Sequence, residues 1–171
     1  MRVYIPATLA MLRTLVASGE LLPVSGTAFA VTPMLRESYA AGDSEELEYA
    51  AMSEAARASL RLLAAELDGD VAAVPRRVVV AADVERVALR PDLDDAAVTL
   101  TGAVPVSAVA AVHVDLAEAQ DAVRAAAAVV DAADLGDPDA EFALGDVEDH
   151  DMAWYATQEI PFLLEFWWGH P

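Results

Sequence analysis

A chain of 171 residues, 56% of them apolar, is long enough for one domain with a sizeable core and too apolar for a disordered chain. It contains no Cys, which excludes disulfides, thiolate metal sites and cysteine nucleophiles. The net charge of −19 argues against nucleic acid and anionic membranes as partners, and it reads first as a device for solubility.

No apolar run approaches the roughly 18 residues that span a bilayer, and the opening Met-Arg-Val-Tyr-Ile-Pro is too short in apolar residues for a signal peptide. A cytoplasmic setting is therefore expected. All ten basic residues are Arg, and Lys and Asn are both absent, which points to a GC-rich genome and makes part of the Ala, Val and Asp enrichment compositional.

Arg2–Ile5 alternates and predicts a first strand that Pro6 ends. Thr8 caps a helix over about Leu9–Ser18, with Gly19 closing it and Leu9, Leu12, Leu15 and Val16 facing inward. Phe29–Val31 is short and apolar. Thr32 followed by Pro33 starts a short helix to about Ala40. Asp43 then caps the longest helix, about Ser44–Leu67, with Glu46 completing a capping box.

Arg77–Asp83 is a valine-rich strand. Val87–Leu89 and Val98–Thr101 suggest a hairpin around the acidic loop Pro91–Asp95. Ser107–Val114 is a buried strand, and Asp115 with Glu118 reads as the cap of an alanine-rich helix over about Leu116–Ala133. Gly136–Asp139 and Asp146–Asp151 read as loops, Met152–Thr157 as a last strand and Ile160–Trp168 as a strongly apolar helix.

Without the insertions, the order is β-α-β-β-α-β. It predicts one α+β domain over 1–171: a ferredoxin-like, split βαβ sheet of four strands near residues 2–5, 77–83, 107–114 and 152–157. Extra helices follow the first strand, and the hairpin is an insert. The expected strand order is last, first, third, second, with the helices mostly on one face.

The segments MRVYIPATL, AFAVTPMLRESY, EELEYAAMSEAARASLRLL, VVVAADV, AVAAVHVDLAEAQ and DHDMAWYATQEI together resemble a family of actinobacterial proteins of unknown function. The resemblance covers nearly the whole chain. It implies a bacterial cytoplasmic source and carries no activity, substrate or catalytic residue.

The chain has neither a Gly-rich phosphate loop nor a G-x-S-x-G elbow, so P-loop and serine-hydrolase chemistry are disfavoured, and no cofactor is expected. Asp149-His150-Asp151 offers metal-type ligands, but consecutive residues seldom converge on one ion. It reads as a solvated acidic loop, and no metal site is expected. His170 lies at the terminus. Arg36, Glu37 and Tyr39 read as a structural Arg–carboxylate pair in the short helix, and Phe162, Phe166, Trp167 and Trp168 as a core plug rather than a partner patch.

Alternation places Ala108, Ala110, Val112 and Val114 on one face and Val109, Ala111 and His113 on the other. With the expected strand order, Tyr4 and His113 share the face opposite the long helix, and Tyr155 and Arg77 join them from the edge strands. That patch could hold an anion or a planar ring. The alternative is a covered face with His113 as a core residue. Two function classes follow: a small non-catalytic domain that binds a protein partner or a second copy, or an enzyme or ligand-binding domain using the His113 patch.

Overall fold

The computed structural model describes residues 1–39, 41–70 and 72–169, the last three of them as backbone. In chain order the elements are β1 (Arg2–Ala7), α1 (Leu9–Ser18), β2 (Glu20–Leu21), β3 (Thr27–Phe29), α2 (Pro33–Ser38) and α3 (Ser44–Gly69). Then come β4 (Val78–Asp83), β5 (Ala88–Leu89), β6 (Ala97–Thr99), β7 (Val104–Pro105) and β8 (Val109–Asp115). The chain closes with α4 (Gln120–Asp134), α5 (Pro138–Glu148), β9 (Met152–Ala156) and α6 (Ile160–Gly169).

The fold is α+β, with an antiparallel sheet of seven strands in the order β5-β6-β3-β1-β4-β8-β9. A two-stranded ribbon pairs β2 with β7. The expected ferredoxin-like order is not found. β4, not β8, lies beside β1, and β9 lies beside β8. The reason is β3, which the short Phe29–Val31 signal left unassigned. It occupies the other side of β1, so β9 has no place there. β3 and β4 are both antiparallel to β1, hence parallel to each other. The α2–α3 crossover joins them with β1 held between.

Local signals set many of the helix ends. Thr8 Oγ1 accepts from Met11 N–H, Thr32 from Leu35 N–H and Asp43 from Glu46 N–H, each satisfying a free first-turn amide. Gly19 closes α1 at φ 80°, a left-handed conformation that costs glycine little. Pro138 at the first position of α5, behind the Asp137 cap, turns the expected loop into a helix.

Helices cover both faces, not one. Leu9, Leu12 and Leu15 of α1 and Ile160 and Leu164 of α6 pack on Val3, Ile5, Val80, Val112 and Val114. Val16 of α1 is exposed. On the other face, Leu47, Ala51 and Ala55 of α3 pack on Tyr4, Phe29, Val79 and Ala81. The alanines let the helix approach the sheet closely. The alanine-rich α4 does not cover the Val112 face as expected. Its stripe of Val123, Ala126 and Val130, with Ala119 just before it, joins Leu60 and Leu63 of α3 and Leu144 of α5 in a separate cluster.

One buried hydroxyl ties α3 to the sheet. Ser59 Oγ donates to the Ala7 carbonyl (2.8 Å) and accepts from Val78 N–H (3.0 Å), where β1 ends and β4 begins. Both groups are otherwise closed off from water by the same helix. Ser59→Ala leaves a buried donor and a buried acceptor without partners. It is expected to cost about 1–3 kcal/mol, measured by urea unfolding with an unchanged m-value.

Candidate functional site

The strand register decides which of the sequence-predicted residues meet. Tyr4 lies opposite Ala81, and Ala81 opposite Ala111. His113 lies between Val79 on one side and Trp154 on the other. Tyr4 and His113 therefore share a face and line one depression of about 290 Å³. That face is the one α3 covers, not the opposite one. The helix shields Tyr4, and His113 lies half-buried on the uncovered part of the face.

Tyr155 and Arg77 do not join them. Tyr155 pairs with Val112 and packs against the α1–α6 side of the sheet. Arg77 precedes a central strand rather than an edge strand, and its guanidinium is occupied. Nε donates to Asp115 Oδ2 (2.9 Å), and Nη2 donates to Asp115 Oδ1 (2.8 Å) and to the His150 carbonyl (2.9 Å). Arg77 N–H also donates to Asp115 Oδ2 (2.7 Å). Arg77 is 4% exposed and Asp115 not at all, so this is a buried, bidentate pair with little left to offer a ligand. It also explains why Asp115 does not cap the following helix: the buried guanidinium takes both carboxylate oxygens.

The face alternation inferred for β8 breaks once. Between Ala81 and Ala82 the register slips by a residue, so Ala82 meets Val109 and Ala110 is bulged. Val109 therefore turns to the α1–α6 side with Val112 and Val114, while Ala111 and His113 stay on the α3 side.

Sequence reasoning missed two aromatic residues. Tyr49 on α3 and Trp154 on β9 both line the depression, 68% and 61% exposed. Ala81 and Ala111, which follow Tyr4 across the register, line the same depression, and their small side chains leave the space open. The signal for Trp154 was its place opposite His113, which the expected strand order concealed. Burial, and next Arg2, hold the His113 imidazole below the ordinary histidine range. Burial, and next Glu48, push the Tyr4 phenol up.

Tyr49 and Met52 also line a second cleft of about 290 Å³, between α3 and the segment joining α5 to β9. Glu54, Glu148, His150 and Asp151 contribute to its walls. Its arginines are engaged elsewhere: Arg57 with Asp134 and Glu141, Arg77 with Asp115. Burial, then Asp94, raise the Glu54 carboxyl; Arg57 and Arg61 oppose this, and Glu148 adds to it.

His150 and Asp151 line this cleft, but among the described residues no group of three or more His, Asp or Glu could hold a metal ion. The expected Arg36–carboxylate pair does not form among the described residues. Phe162 and Phe166 are 73% and 64% exposed, so they are not the expected core plug; Ile160 and Leu164 fill that role. The side chains of Trp167 and Trp168, and His170, lie outside the described residues.

An antiparallel α+β sheet with an aromatic-walled groove beside its longest helix is the class these features define. The chain belongs to a family of unknown function, DUF6912, whose model matches residues 1–164. No curated protein and no solved structure matches it. No helix among the described residues is long and apolar enough to cross a membrane.

Two outcomes follow from these environments. Asp115→Ala strands a buried guanidinium and is expected to cost about 3–5 kcal/mol by chemical denaturation. Replacing both partners, with Arg77→Met and Asp115→Leu, recovers only part of it, because Arg77 N–H loses its acceptor as well.

His113, with its pKa lowered on folding, takes up its proton more readily when unfolded. Stability should therefore fall as pH drops from the ordinary histidine value of 6.5 through the lower folded value. His113→Gln should flatten that part of the stability–pH curve, measured by thermal melts across pH. An unchanged slope would remove His113 as its cause.

Proposed function

We infer that this chain is a non-catalytic, cytoplasmic binding domain that holds a small ligand bearing a planar ring and a positive charge. One observation carries the reading. Two well-exposed aromatic side chains, Tyr49 and Trp154, flank a floor of alanines beside Tyr4 and His113. Exposed rings facing a common hollow favour stacking, since a planar ligand gains contact on its face without demanding a particular heteroatom. The Tyr4 hydroxyl and a neutral His113 offer both a donor and an acceptor for orientation.

The sign of the charge rests on the adjoining cleft. Glu54, Glu148 and Asp151 line it, and its two arginines already have carboxylate partners. A ligand anchored between Tyr49 and Trp154 and extending past Met52 meets carboxylates. The saturated Arg77–Asp115 pair supports binding rather than turnover, because neither group has a hydrogen-bonding role left to change during a reaction.

Tryptamine and indole-3-acetate, similar in ring and opposite in charge, test this. Tryptamine is expected to shift the His113 and Trp154 resonances and raise the melting temperature, and Trp154→Ala should abolish both effects. Equal binding of the acid would refute the charge assignment. Absence of any shift at His113 or Trp154 with either compound would refute the site.

A further inference from the structure

We propose that the outer edge of β9 is a docking site for an extended, basic segment of another protein, which joins the sheet as an additional strand. This is independent of the ligand reading, since it uses the backbone of β9 rather than the hollow.

Hydrogen-bond parity shows which groups are available. Asp115 N–H donates to the Arg77 carbonyl (3.1 Å), so the backbone of Asp115 faces β4. Alternation then turns Val112 and Val114 toward β9, where they meet Tyr155 and Ala153. The amides and carbonyls of Met152, Trp154 and Ala156 consequently point away from the sheet. Ala156 N–H agrees with this, because its partner is the Glu159 carboxylate (3.1 Å) instead of a strand. Trp154, at the centre, presents both backbone groups outward, and among the described residues no strand pairs with this side.

Sheet edges in soluble proteins are commonly blunted by charge, proline, a bulge or brevity. β9 has none of the first three: Met-Ala-Trp-Tyr-Ala carries no charge or proline, and its pairing with β8 runs without a slip. The opposite edge, β5, is two residues long and is followed at once by Arg90.

Charge selects the occupant. Glu148, Asp149 and Asp151 precede the strand, and Glu159 follows it. A second copy docked antiparallel would set the Asp151 end of one chain against the Glu159 end of the other, on top of −19 on each. A parallel copy would align the acidic ends. A strand with arginine or lysine flanking its paired residues is complementary at both ends. Main-chain pairing then supplies affinity, and the flanks supply the preference for sign.

The probe is a short fluorescent peptide with paired arginines at each end of an alternating valine–threonine core, compared with its glutamate-ended counterpart. The arginine peptide should bind and slow hydrogen exchange at the Met152 and Trp154 amides, while the glutamate peptide should not. Trp154→Pro removes the outward N–H but leaves the β8 bonds intact. It should weaken binding about tenfold or more.

Trp154→Ala keeps the backbone donor and should retain peptide binding while losing the hollow's ligand, so the two proposals fail separately. Circular dichroism checks that the proline variant folds; if it does not, the exchange data on the unaltered protein decide. Equal binding of both peptides, binding indifferent to a folded Trp154→Pro, or binding without slowed exchange at Trp154 would overturn the proposal. So would a sedimentation mass of two chains with Trp154 already protected in the free protein, which would make a second copy the occupant.

Discussion

The Arg77–Asp115 pair is the contact on which the rest of this architecture depends. It is buried, and it joins three segments: the start of β4, the end of β8 and, through the His150 carbonyl, the turn that enters β9. A buried bidentate pair contributes little net stability compared with apolar residues in the same volume, yet it tolerates few alternative arrangements. Its contribution here is one of alignment. The pair fixes Asp115 against Arg77, and this sets Val79 beside His113 and, one strand further, Trp154 beside His113. The composition of the groove thus follows from a contact that has no side-chain capacity left for a ligand.

The sheet is covered unequally. On the α1–α6 side, leucine and isoleucine meet valine across a continuous core. On the α3 side the contacts are mostly alanine, and the helix lies close over β1 and β3 before turning its later residues toward α4 and α5. Close approach at one end leaves His113 of β8 half-buried and Trp154 of β9 exposed at the other, and the groove occupies that remainder. Helix and hollow are therefore two results of one pattern of small residues.

Sequence made the element types largely legible because the signals were local. Thr8, Thr32 and Asp43 each announced a helix start, and valine runs announced β4 and β8. The pairing order was not legible, because it turned on β3, three residues whose assignment depends on partners far along the chain. That one omission moved β9 to the wrong neighbour and placed Tyr155 where Trp154 belongs. The reading of Asp115 as a cap failed for a different reason. A carboxylate after a strand and before a helix satisfies the capping pattern whether or not a buried guanidinium claims it, and only the fold brings Arg77 within reach. Tyr4 and His113 still share a face, because Tyr4 lies opposite Ala81, Ala81 opposite Ala111, and His113 is two residues further along β8, but it is the face α3 covers. The bulge at Ala110 lay outside their stretch.

β1 is the first strand of the chain, yet it lies in the middle of the sheet, and the strand it pairs with most extensively ends at Asp83, 81 residues beyond Arg2. Loops of that span close slowly, because the entropy is lost before the contacts that repay it have formed. During synthesis, Val3, Ile5 and Ala7 emerge long before β4 exists to shelter them. Until then the neighbours of β1 are α1, the short β3 and α3, none of which supplies the long strand pairing. From the synthesis of Arg2 to that of Asp83, 81 residues later, the growing chain therefore carries an apolar strand without its main partner, a window in which chaperone capture and misassembly between nascent chains compete with folding.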